Sequence, residues 1–269
     1  MTKPILLLTN DDGIYAEGLR HLYEAVKDIA EVYIVAPLKE QSSTSLSITS
    51  RSPLYFQQFP WDSKTTAWSV HGTPADAVKL ALSALLPKTP DLILSGVNKG
   101  NNSGNNVLYS GTVAAVIEGI LHGVPGLAFS TADYHSSDFT IGKQYIPAIV
   151  KYVWQHLPGD GTIYNVNFPS AAIPFKGFKM TAQGKEYWKE NPELRQHPSE
   201  GFSYYWLGCR LAEFSEEADC DVSWLKQGYG TIVPLKIANL TNRENLERNR
   251  AEFENFIKKS SGEPQQQSC

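Results

Sequence analysis

The chain is poor in the features that mark several large functional classes. Among 269 residues there are three cysteines, Cys209, Cys220 and Cys269. Their spacing matches no metal-ligand pattern and their odd number leaves a thiol over, which excludes a disulfide scaffold and a cysteine-built metal centre and is expected of reduced thiols. No apolar run approaches the roughly 20 residues of a membrane span. The five-residue run Ile5–Thr9 is too short for the apolar core of an export signal, so a cytoplasmic location without a membrane partner is expected. The formal net charge is −4 and no block of Lys or Arg occurs, which leaves no electrostatic footprint for a nucleic-acid polymer. An anionic substrate must then be drawn by a metal and local donors. The glycines at 96, 100 and 104 do not form G-x-G-x-x-G, which excludes the dinucleotide fingerprint. The six histidines are scattered and define no Ser/His/Asp or Cys/His arrangement.

What is present is an alternation of short apolar runs and helical patterns. At 42% hydrophobic and 19% charged the chain has the composition and length to bury a substantial core. Ile5–Thr9 is wholly apolar until its last residue and reads as a strand buried on both faces of a parallel sheet. Leu19, Leu22, Tyr23 and Val26 recur at helical spacing, and Val32–Ala36 is a second buried strand stopped by Pro37. A Ser/Thr-rich loop follows from Lys39 to Ser50. Leu54–Phe56 and Trp68–Val70 read as shorter strands, and Thr73-Pro74 as the cap and first position of a helix running to Pro87. Leu92–Ser95 and Gly126–Ser130 are further strands, and Gly111–His122 and Phe139–His156 are helices. The expectation is an α/β fold over residues 1–175, a doubly wound, mostly parallel Rossmann-like sheet. From Lys176 to Pro234 the chain turns aromatic and polar, and Arg243–Lys259 reads as a closing amphipathic helix. Residues 176–259 are therefore expected to form a β-rich extension of arms and hairpins, too thin for its own core and packed on the first domain or on another subunit. Residues 260–269 are expected to be disordered.

The polar elements fall where such a sheet gathers them, at the carboxyl rim. Asn10-Asp11-Asp12-Gly13 follows the first strand. Adjacent carboxylates repel and raise each other's pKa, a cost that a cation removes. Two readings stand: a cation site, or a solvated turn that carries two acids. The loop with Ser42 follows the second strand, and Gly96-Val97-Asn98 follows Leu92–Ser95. A hard cation there would take Asp11, Asp12, the Ser42 hydroxyl and the Asn98 amide oxygen, a set that suits magnesium or manganese. Taken alone, in a loop with many hydroxyls, Ser42 reads more readily as a solvent-exposed hydroxyl than as a ligand. Ser110-Gly111-Thr112 opens a helix and reads either as an anion site or as a plain N-cap. His71 reads as a proton-transfer group or as a packed histidine. A metal beside a phosphate cradle is the equipment of phosphate-ester chemistry.

In this order the motifs Asn10–Gly13, Val35-Ala36-Pro37 with Ser42, His71–Asp76, Ser95–Asn98 and Tyr109–Val113 resemble the SurE survival-protein nucleotidases. Weaker matches follow at Tyr204–Trp206 and Gly228-Tyr229, so that the resemblance spans roughly Ile5 to Leu235. It implies one divalent metal per subunit on Asp11, Asp12, Ser42 and Asn98. It places phosphate contacts, and with Asp11 and Asp12 the catalytic set, on Asn102, Ser110, Gly111 and Thr112. It further implies hydrolysis of nucleoside 5′- and 3′-monophosphates, in some members also of short polyphosphate, and a homodimer or tetramer through exchanged C-terminal arms. The chain departs from the family pattern at Ser43, at Asn105-Asn106 and at Asp219-Cys220-Asp221, which bears on substrate preference more than on activity. Water is the expected nucleophile, since Asp11-Asp12 lacks the Asp-x-Asp spacing of aspartyl-phosphate phosphatases. The alternatives are a glycosyl- or nucleotidyl-transferase on a similar sheet and a non-catalytic nucleotide-sensing module.

Overall fold

The computed structural model describes residues 3–134, 138–157, 159–212, 214–237 and 239–260. Its centre is a nine-stranded sheet. The first six parallel strands in chain order are β1 (Ile5–Thr9), β2 (Glu31–Pro37), β4 (Thr66–Val70), β5 (Leu92–Lys99), β6 (Gly126–Thr131) and β7 (Thr162–Phe168). In space they run β4-β2-β1-β5-β6-β7, all pairs parallel. The order therefore reverses between β1 and β5, and the crevice at such a switch point is where doubly wound sheets bind ligands. One edge is closed by β3 (Phe56–Phe59), antiparallel to β4. On the other side β13 (Gly230–Lys236) runs antiparallel to β7, with β8 (Phe178–Met180) beside it.

The period of two along β1 sorts its side chains to two cores. Leu6 and Leu8 face α1 (Glu17–Val26) and α4 (Thr140–Gln155), meeting Leu19, Leu22, Ile146 and Val150. Leu7 faces α2 (Pro74–Leu80) and shares a cluster with Ala77, Val78, Ile93 and Ala115, the last of these on α3 (Gly111–Leu121). Gly18 in α1 lets the helix touch β5: a Cβ there would lie 1.9 Å from the Val97 carbonyl oxygen.

Three elements differ from the sequence expectation. The strand placed at Leu54–Phe56 begins two residues later, because Phe56–Phe59 pair with Ala67–Val70 at the sheet edge. The helix from Thr73 keeps regular geometry only to Leu80. It continues as a π-helical turn over Ala81–Leu85, closed by the Leu86 N–H on the Ala81 carbonyl at 3.0 Å. β5 does not stop at Ser95 but continues to Lys99 with a register shift between Ser95 and Asn98. Gly96 makes that shift possible, since its φ is +123° and a Cβ would lie 2.2 Å from the Phe129 carbonyl oxygen.

Beyond the sheet, β9 (Trp188–Glu190) pairs with β12 (Cys209–Leu211), and β10 (Glu193–Gln196) with β11 (Ser203–Trp206), as two antiparallel ribbons. Between them and β13 lies α5 (Asp221–Lys226). The described residues up to Ile237 form one compact unit and those from 239 onward a second, which holds α6 (Arg243–Ser260). Leu246, Phe253 and Ile257 share one stripe of α6, as the amphipathic pattern requires. Of the segment 260–269, Ser260 ends α6 and the rest, Cys269 included, lies outside the described residues.

Candidate active site

The turn after β1 is set by its own residues. Asn10 donates Nδ2–H to the Gly13 carbonyl at 2.9 Å, and Gly13 adopts φ +98° against the backbone of Lys39. The Asp11 carbonyl accepts the Gln41 N–H at 2.7 Å, tying the turn to the loop after β2. The Asp11 side chain is buried, and its Oδ1 accepts the Thr112 hydroxyl at 2.6 Å. Gly111 allows this docking, for a Cβ on it would lie 2.8 Å from the Asp11 Cβ. The first turn of α3 therefore sits directly on the first acid, 100 residues away in sequence.

The electrostatics of the pair are unfavourable as they stand. Burial pushes the Asp11 carboxyl up to about 7, with Asp12 and Glu40 adding repulsion and the Thr112 hydrogen bond opposing it. Asp12 is pushed up to about 6 by burial and by Glu40, against the backbone N–H and the charge of Lys99. Carboxylates held this way favour either a proton or a cation. Among the described residues no group of three or more His, Cys, Asp and Glu is arranged to hold a metal, so a cation here would be completed by neutral oxygens. Asn98 donates Nδ2–H to the Gly100 carbonyl at 2.8 Å, leaving its amide oxygen as the ligating end. Ser42 is exposed and donates to Glu40 Oε1 at 2.6 Å. Its contact is thus with the acid that crowds Asp11 and Asp12, not with either of them.

Asn102, Ser110, Gly111 and Thr112 are brought together on the same rim. Asn102 donates to Ser130 Oγ at 2.8 Å and reaches Thr112 Oγ1 at 3.5 Å. Ser110 caps α3, accepting the Val113 N–H at 3.1 Å, which leaves its own proton to donate. The Thr112 hydroxyl is occupied by Asp11, so in this arrangement it links acid to cradle and only its backbone N–H faces outward from the helix start. His71 is exposed at the end of β4 and packs edge-on against Tyr55, with ring centroids 6.3 Å apart.

Several residues of the site went unmarked in the sequence. Asn165 Nδ2 donates to the Asn102 carbonyl, and Asn167 Oδ1 accepts the Asn102 N–H, both at 2.8 Å. Together they fix the main chain of Asn102 from β7. The available signal was two asparagines at i and i+2 in an otherwise apolar strand, hence on one face. Ser130 and Glu40 had no such signal, since each acts through the tertiary arrangement.

The family model described as survival protein SurE matches residues 6–190. A protein named 5′-nucleotidase SurE from Protochlamydia amoebophila is 51% identical over 258 residues, covering 95% of this chain and 99% of its own. Another of that name, from Pelotomaculum thermopropionicum, is 42% identical, covering 90% and 93%. The crystal structure of the SurE protein from Aquifex aeolicus superposes with a TM-score of 0.78 at 35% identity, covering 93% of this chain and all of that one. With the family model matched over residues 6–190 and relatives of that name 51% and 42% identical over nearly the whole chain, this chain belongs to the SurE survival-protein family.

Proposed function

We propose that the chain hydrolyses nucleoside monophosphates to nucleoside and phosphate at a divalent cation, magnesium or manganese, held by Asp11, Asp12, Ser42 and Asn98. That it is a 5′-nucleotidase, a phosphoric monoester hydrolase, rests on relatives of that name aligned over nearly the whole chain. The observation that carries the site reading is the Thr112–Asp11 hydrogen bond, which fastens an anion-binding helix start to a pair of crowded acids. The residues fit a hard cation: a buried and a half-buried carboxylate, both held well above their ordinary pKa, and two neutral oxygen donors. Such an ion, when bound, neutralises phosphoryl charge and makes water a competent nucleophile at neutral pH.

The chain's own residues do the rest. The Ser110 hydroxyl and the N–H groups of Gly111 and Thr112 hold the phosphoryl oxygens at the positive end of α3. Asn102, locked by Asn165, Asn167 and Ser130, adds a fixed amide. Donors that are already oriented need no rearrangement as charge develops, which is where electrostatic catalysis gains most. Water as nucleophile, action on 3′-monophosphates and short polyphosphate, and a cytoplasmic location belong to this reading. Among the described residues no helix is long and apolar enough to cross a membrane, and Cys209 and Cys220 are free thiols.

Purified protein given a panel of 5′- and 3′-monophosphates with titrated manganese or magnesium is expected to release inorganic phosphate with water as the only acceptor, and to stop in chelator. A requirement for an alcohol or sugar acceptor would favour a transferase. Binding without turnover would favour a sensing module.

Residues 176–259 serve in this reading as an oligomerisation extension, giving a homodimer or tetramer by exchange of arms. Trp188, Leu194, Phe202, Tyr205, Trp206 and Leu207 on the two ribbons are all at least half exposed, and aromatic rings of this kind are the usual core of a subunit contact. Light scattering at micromolar concentration is expected to give a multiple of 29.8 kDa. An active species of monomer mass that persists on dilution would overturn the assembly.

A further inference from the structure

Asp221 is fully buried, and among the described residues no cationic side chain pairs with it. Its two oxygens are divided between segments. Oδ1 accepts the N–H groups of Gly184 at 2.7 Å and of Val222 at 2.8 Å, whereas Oδ2 accepts the N–H of Gly104 at 3.0 Å. Gly104 lies two residues after Asn102, in the loop that follows β5. The same loop is pressed against the segment before β9. The Asn105 N–H donates to the Glu186 carbonyl at 2.8 Å, Asn106 Oδ1 accepts the Trp188 N–H at 2.9 Å, and a Cβ at Gly104 would lie 2.4 Å from the Glu186 oxygen. The loop is thus held on one side by the β7 asparagines and on the other by Asp221.

We infer that Asp221 is a positioning residue for catalysis, which holds the Asn102–Gly104 loop so that the Asn102 amide keeps its place beside Thr112. This rests on the nucleotidase reading and extends it, because it makes the segment after β8 part of the active-site scaffold. The physical reason is the cost of burying a carboxylate: it is tolerated where several N–H groups converge on it, and each of those groups is in turn fixed by it. Only Ser103 separates Gly104 from Asn102 along the backbone, so a displacement at one is carried to the other. A misplacement of about 1 Å at a reacting centre costs on the order of 100-fold in rate.

The test is Asp221→Asn. The amide keeps one acceptor oxygen for Gly184 and Val222 but sets an N–H₂ against the Gly104 N–H, so it opposes two donors at the loop alone. The expected result with a nucleoside 5′-monophosphate and saturating manganese is a kcat lower by about 10- to 100-fold and weaker inhibition by inorganic phosphate. Manganese affinity by calorimetry should stay within about twofold, because none of the proposed ligands lies in the loop. Asp219→Asn is the control for the same region. Asp219 bonds Thr181 and the Trp224 indole and does not touch the loop, so its kcat should remain parental. Assays are run well below both melting temperatures.

Parental kcat and phosphate inhibition in folded Asp221→Asn would overturn the inference, as would an equal loss in Asp219→Asn or a loss confined to manganese affinity. Asn102→Ala separates the two levels. If it is inactive while Asp221→Asn is parental, only the role of Asp221 falls. If Asn102→Ala is itself fully active, the site reading falls and this inference with it.

Discussion

Asp11→Asn and Asp12→Asn are each expected to lose several orders of magnitude in turnover, yet to melt at or above the parental temperature in chelator at pH 8. The two effects have opposite signs because the same charges serve different ends. With a cation they are ligands, and an amide is a far poorer one. Without it they are like charges side by side, Asp11 buried and Asp12 half-buried. A carboxyl raised in the fold from 3.8 to about 7 binds its proton more tightly folded than unfolded. Its stabilising contribution is therefore complete below pH 3.8 and is lost as pH rises through 7. Asp12 follows the same course through about 6. For Asp11 the loss at alkaline pH is on the order of 4 kcal/mol as an upper bound, shared in part with Asp12 because the two interact. Parental protein in chelator should then lose stability between pH 4 and 8, and manganese should restore it. Asp11→Asn should show a shallower decline and no restoration. Near-parental turnover of either variant at saturating metal would remove the cation from Asp11 and Asp12, and a flat pH profile for the parent would remove the buried repulsion.

Ser110→Ala should lose about 100- to 1,000-fold in turnover, the range for deleting one oriented donor, and Thr112→Ala should lose turnover through the Asp11 carboxylate that its hydroxyl holds. Their signatures differ. Ser110 caps α3 through Val113, so its removal also costs about 1 kcal/mol of stability. Thr112→Ala deletes the hydrogen bond that opposes the raised pKa of Asp11. It should therefore weaken manganese binding at neutral pH, which Ser110→Ala should leave nearly unchanged. Phosphate or vanadate should compete with substrate in the parent and less well in both variants. Unchanged inhibition constants would reduce the start of α3 to a structural cap.

Local signals carried a large part of this protein. The apolar run of β1, the helical spacing of Leu19, Leu22, Tyr23 and Val26, and the Thr73-Pro74 start of α2 depend on interactions within a few residues, and each element forms where its pattern lies. The acidic turn and the small residues at 110–112 were legible for the same reason, because turn and helix-start chemistry is local. The boundaries that moved did so at contacts with a neighbouring strand: β3 takes its register from β4, and β5 runs past Gly96 because Asn98 and Lys99 pair with Ser130 and Thr131 of β6, with glycine required where the Phe129 carbonyl leaves no room for a side chain.

Only the tertiary structure decided which polar residues share a site. The reversal of strand order between β1 and β5 brings residues 11, 98 and 112 to one rim, and no periodicity encodes strand order. Glu40 crowds the two acids because β2 lies beside β1. Asn165 and Asn167 reach Asn102 because β7 follows β6 across the sheet, and Asp221 reaches Gly104 from 117 residues away. A sequence displays the chemistry of each side chain and the geometry of its near neighbours. The field that raises Asp11, and the hydrogen bonds that hold Asn102, arise from burial among groups far apart in the chain, and burial exists only once the sheet has assembled.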